Sequence, residues 1–109
     1  MDLSAIDNAL DRFGEKSATF TQIVHKDLNK YAQEMADAIE SKDMNALHIA
    51  AHSSKSIYSL IEVQGALELT KMIEKSASEK NLADCAILHK RLIPFYEAVN
   101  AHLEARLKA

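Results

Sequence analysis

Apolar side chains recur every three or four residues along almost the whole chain, the period of helices that each bury one side. The clearest stretch is Leu47 to Gly65, LHIAAHSSKSIYSLIEVQG. At about 100° per residue, Leu47, Ala50, Ser54, Ile57 and Ile61 share one side, apolar but for one small serine. His52 falls nearly opposite the centre of that side, with His48, Lys55, Ser56 and Ser59 near it. A histidine is therefore expected on the outer face of a helix whose inner face is buried. Ile49 and Leu60 lie off the centre of the buried stripe and are expected to form an exposed apolar rim.

The same reading orders the other elements. Ile6, Ala9, Leu10 and Phe13 predict a short first helix, capped by Ser4 with Asp7 three residues on, stapled by Leu3 and stopped by Gly14. Ser17 is expected to cap a second helix running to about Ser41, on a stripe of Phe20, Val24, Leu28, Tyr31, Met35, Ala38 and Ile39. Its other face, Asn29 among it, would be solvated, with His25 at the margin. Asp43 caps the third helix, which is expected to reach about Val63, and Gly65 would supply a positive φ in the break after it. A fourth helix runs from Ala66 to about Lys80, with Ala66, Leu69, Ile73 and Ala77 inward and Glu68, Lys71, Glu74, Lys75 and Glu79 outward. Asn81 caps the last helix, whose stripe of Cys85, Leu88, Leu92, Tyr96, Val99 and Leu103 keeps its phase across Pro94. That phase predicts a bend rather than two helices, and the tail from Glu104 to Lys108 is expected to fray. Short connections make successive helices antiparallel. The expected fold is all-α, an antiparallel up-down-up-down four-helix bundle with a short extra N-terminal helix, in a single domain over residues 1–109.

Composition agrees and narrows the function. Of 109 residues, 48% are hydrophobic, enough for a full core, and Gly and Pro total three, too few for β-hairpin turns. The net charge of −3 speaks against nucleic acid as a partner. The lone Cys85 allows no internal disulfide and reads as a small core residue. The N-terminus has no signal-peptide pattern and no segment is apolar enough for a membrane span. The expected location is the cytoplasm, and the chain, beginning with Met, is expected to be free-standing.

An exposed imidazole with an unprotonated ring nitrogen is a competent nucleophile toward phosphorus. A phosphoryl carrier also needs a nearby cation and small neighbours that let a partner approach. Lys55, one turn on, suits the first need, and Ser56 and Ser59 the second. No nucleotide loop or set of Mg²⁺ ligands lies nearby, so a partner must complete the chemistry. The rival readings are a solvated surface histidine, a helical metal-binding bundle using the i, i+4 pair His48 and His52, and a module that binds without transfer. His25, His89 and His102 lie on other helices, and His89 reads as a core-edge residue.

Ala51-His52-Ser53-Ser54-Lys55-Ser56 and Gly65-Ala66-Leu67-Glu68-Leu69 resemble motifs of the histidine-containing phosphotransfer (HPt) domains of two-component phosphorelays. The resemblance implies that His52 is phosphorylated, that Lys55 stabilises the phosphoryl group and that Ser56 leaves room at the ring; by their phase on the helix, His48 and Ser59 are expected at the site's periphery. It implies as partners the receiver domains of hybrid sensor kinases and response regulators, which bring the Mg²⁺, and the apolar rim of Ile49 and Leu60 is where they are expected to dock. The protein itself would be a carrier with no cofactor and no turnover of its own. A degenerate member of the family would bind receivers without phosphotransfer. Two positions depart from the pattern. Ser54 stands where the family has an apolar residue, and is expected to bond back to its own helix. Gly65 comes thirteen residues after His52, further than usual, which suggests a longer third helix.

Overall fold

The computed structural model describes residues 3–109. These form five α-helices: α1 Ser4–Asp11, α2 Ser17–Ser41, α3 Met44–Leu60, α4 Gln64–Ser78 and α5 Leu82–Lys108, with a 3₁₀ turn, Gly14–Lys16, after α1. Helices α2 to α5 pack in a ring, each on the next and α5 back on α2, while α1 lies against α2. Links of two or three residues between them leave no room for a crossover, so neighbours run antiparallel. This is the all-α up-down-up-down bundle, with its short extra N-terminal helix, that the stripes predict.

The stripes meet in one core. Val24, Leu28 and Met35 of α2 join Leu47, Ala50 and Ile57 of α3, Ala66, Ile73 and Ala77 of α4, and Cys85, Leu88, Leu92, Val99 and Leu103 of α5. Helix α5 passes through Pro94 without interruption. Asp43 and Asn81 cap as expected, accepting from the amides of Ala46 at 3.0 Å and Asp84 at 3.1 Å.

Several local expectations fail. The cap positions of α1 and α2 are held by Leu3 and Lys16, with no side-chain capping bond. Ser17 lies inside α2, and its hydroxyl instead accepts from Arg106 at 2.7 Å. The tail does not fray: α5 stays helical to Lys108 because Leu103 is fully buried and Arg106 also reaches Asp7 and Asp11 of α1. Asn29 is not solvated; it bonds Asn100 and accepts from the Tyr96 hydroxyl.

Helix α3 stops at Leu60, earlier than Val63, and Gly65 does not make the turn. Glu62 takes the left-handed conformation (φ 59°), and the Val63 amide closes onto the Tyr58 carbonyl at 3.0 Å. The same closure recurs at Lys42, where Asp43 bonds Ala38, and at Lys80, where Asn81 bonds Ser76. Three helices thus end on charged residues in a conformation that glycine adopts most easily. Gly65 lies in the first turn of α4, where a Cβ would stand 2.6 Å from the Phe95 ring. Its role is close approach of α4 to α5. Gly14 does meet its expectation, with φ 56°.

Candidate functional site

His52 sits mid-way along α3 and projects outward, its side chain 63% exposed, because Ala51 and Ser54 on either side of it turn into the bundle. Helix α4 packs alongside and brings up Glu74. The imidazole Nδ1 lies 2.8 Å from Glu74 Oε2, and Lys55 Nζ donates to the other oxygen, Oε1, at 3.1 Å. One carboxylate therefore clasps the two residues singled out from the sequence. Glu74 itself is expected among the solvated outer positions of α4; the structure corrects this, since its side chain is only 20% exposed. Its phase carries a faint signal: about 100° from Ile73, it flanks the buried stripe instead of opposing it.

The electrostatics set the protonation pattern. Burial alone would raise the Glu74 pKa, but hydrogen bonds from Lys55 and His52, with their charges, outweigh it and hold the carboxyl below its ordinary range. An ionised carboxylate only accepts, so the 2.8 Å contact is an Nδ1–H donor. In its neutral form the ring then has its lone pair on Nε2, which bonds no group among the described residues and belongs to the exposed side chain.

The surroundings of His52 are small or shallow. Toward the C-terminus of α3, Ser56 and Ser59 with Leu67 and Lys71 of α4 form an open depression beside Lys55. Toward its N-terminus, His48 and Ile49 form another with Ala77 and Lys80. Ser56 and Ser59 are exposed and His48 is half-buried. Ile49 and Leu60 are both exposed, at 64% and 44%, as an apolar rim requires. Met72 on α4 is an exposed apolar residue that the sequence reading passes over. No three His, Cys, Asp or Glu side chains among the described residues cluster as metal ligands. No helix of the described residues is long and apolar enough to cross a membrane.

The fold is that of a histidine-containing phosphotransfer protein. The solved structure of histidine-containing phosphotransfer protein B from Pseudomonas aeruginosa PAO1 superposes with a TM-score of 0.84 over 99% of this chain and 94% of that one, at 17% sequence identity. No protein-family profile matches the chain, and no curated protein matches it.

Proposed function

We propose that this protein is a phosphoryl carrier that accepts and donates the group at Nε2 of His52, between receiver domains of a hybrid sensor kinase and a response regulator. The observation that carries the reading is the Glu74 clasp: it leaves the nucleophilic nitrogen free on an exposed ring, in a fold shared with a protein whose name states phosphotransfer. In the forward step the Nε2 lone pair attacks the phosphorus of a receiver's aspartyl phosphate. The N–P bond forms, the P–O bond to the aspartyl oxygen breaks, and the receiver's carboxylate leaves with that electron pair. No proton has to move, because the ring keeps its Nδ1 proton and becomes a phosphoimidazolium. Glu74 lies against the positive charge that develops, which favours that form of the ring.

Lys55 serves the phosphoryl oxygens. In the unloaded state its ammonium is held by Glu74, so the site is close to neutral and ready for an anion. Once the ring is charged, Glu74 serves the imidazolium and Lys55 turns to the phosphoryl group. The Mg²⁺ of the reaction stays with the receiver, and docking uses the rim of Ile49 and Leu60 and the open ground at Ser56 and Ser59. The protein is a substrate and intermediate of this exchange, with no turnover of its own, and works in the cytoplasm.

The test is transfer from a radiolabelled phospho-receiver to the native protein and to His52→Gln. Acid-labile label is expected on the native protein alone, with unchanged helicity in the variant, since the side chain is exposed. Equal labelling of the variant would sink the assignment. Receiver binding without any label would mark an interaction module instead.

A further inference from the structure

Helix α3 differs from its neighbours in where its charge lies. In its 17 residues it carries one lysine, Lys55, and no arginine, aspartate or glutamate, and that lysine is held by Glu74. Its outermost positions, Asn45, Ile49, His52, Ser56, Ser59 and Leu60, are exposed and bear no carboxylate, ammonium or guanidinium group. The helices on either side carry charge up to the edges of this crest, with opposite signs. Ile49, 64% exposed, separates two depressions. The one on the α2 side is lined by Glu34 and Asp37, and the one on the α4 side by His48 and Lys80. Further along the α4 side, Lys71 lines the depression that holds Lys55.

These edge charges are poorly matched within the protein. Glu34 and Lys80 are exposed and form no ion pair among the described residues. Asp37 accepts from the neutral Gln33 amide at 2.9 Å. Lys71 reaches Glu68 only at 3.5 Å, with both side chains about half exposed, and such a pair contributes little. Lys30 of α2 lies over the Tyr31 ring at 5.5 Å. Lys42 and Glu79 have the opposite signs to their edges but line neither depression. The face therefore keeps an acidic edge on α2 and a basic edge on α4. A polyanion on the crest would meet Glu34 and Asp37. A uniformly charged protein would match one edge and oppose the other.

We propose that this face admits a receiver domain in one orientation, with apolar side chains on Ile49, basic ones against Glu34 and Asp37, and carboxylates against Lys71 and Lys80. The proposal rests on the carrier reading of His52 and names the surface that its partner must present. The basic edge suits the anionic side of that partner, because the incoming phosphoryl group must approach Lys55, which shares its depression with Lys71. Turned through half a circle about His52, the same partner would set like charges together on both edges. Rim charges act chiefly on how fast and in what orientation partners meet, and salt weakens them.

The test uses radiolabelled phospho-receiver domains, the probe being whichever of a panel loads the native protein fastest. Glu34→Lys with Asp37→Lys reverses the acidic edge, and Lys71→Glu with Lys80→Glu the basic one. Each pair is expected to lower the second-order rate constant of transfer about tenfold at low salt and to flatten its salt dependence. The limiting rate at saturating receiver should not change, since His52, Lys55 and Glu74 are intact. The signs discriminate: a partner drawn by net charge alone would be helped by one reversal and hindered by the other. Lys90→Glu with Arg91→Glu makes the same charge change on exposed positions of α5, across the ring from α3, and should leave the rate as it was. The proposal is overturned if the two edge reversals act in opposite directions, if either has no effect, or if the α5 pair slows transfer equally. It is overturned too if the native protein forms a dimer that either reversal dissociates, since a second copy would then occupy the face. Transfer that ignores both edges removes this surface and leaves the carrier reading standing, whereas a panel that neither loads nor binds the native protein removes both.

Discussion

Two histidines of this protein are paired with carboxylates in nearly the same way and sit in very different places. His52 Nδ1 meets Glu74 at 2.8 Å, and His102 Nε2 meets Asp7 at 2.9 Å. In each case a cation shares the carboxylate, Lys55 on Glu74 and Arg106 on Asp7. The difference is exposure: the His52 side chain is 63% exposed and that of His102 only 25%. Arg106 also bonds Asp11, Ser17 and Thr21, so the second cluster ties α1 and the start of α2 to the end of α5. An imidazole–carboxylate pair is thus not by itself a sign of chemistry. What sets His52 apart under the proposed function is that its other ring nitrogen stays open to a partner.

That contrast is open to direct attack. The largest expected effect is at the rings: His52→Gln should reduce phosphotransfer by more than about a thousandfold, whereas His102→Gln should leave the rate unchanged. Loss of transfer in both, with both folded, would erase the distinction. Next come the carboxylates. Glu74→Gln is expected to slow transfer by about ten- to a hundredfold and to move the His52 proton away from Nδ1, which ring ¹⁵N shifts report. Asp7→Asn should change neither.

Stability should show the reverse order. Arg106→Met breaks the α1–α5 cluster and is expected to cost about 1–3 kcal/mol in denaturant unfolding, while Lys55→Met should cost less than about 1 kcal/mol. The smallest effect is that of acid. Hydrogen bonding to His102 leads the causes that hold the Asp7 pKa below its ordinary value; bonding to Arg106 adds to it, and burial opposes it. Glu74 is depressed as well, against its burial. A depressed folded pKa contributes stability that is complete above the unfolded value and is lost as pH falls through the folded one. Stability should therefore decline on acidification below the ordinary carboxylate range of 3.8 for Asp7 and 4.5 for Glu74. Asp7→Asn should flatten that decline. An unchanged acid limb would show that the pair is not coupled to folding.

Much of this was legible in the chain because helical burial repeats locally. The stripes on α2 and α5, the caps Asp43 and Asn81, and the outward phase of His52 all depend on residues within a few turns of one another. Glu74 was not legible in the same way. Its partners lie 22 and 19 residues away, and a glutamate flanking a buried stripe looks like any solvated one until α3 is laid beside α4. Arg106 was misplaced for a related reason: a charged terminus reads as frayed unless the acids of α1, some 95 to 99 residues earlier, are known to meet it.

The sequence by itself therefore determined the helices, their antiparallel order and which histidine faces outward, since apolar period and link length act locally and the hydrophobic effect is indifferent to partner identity. Only the tertiary structure decided what each polar group bonds. It set Glu74 on both His52 and Lys55, turned Ser17 from cap to latch, and moved the reversals to Lys42, Glu62 and Lys80. It also reserved Gly65 for the Phe95 ring. Hydrogen bonds and close contacts are directional and short in range, so they are settled where helices meet.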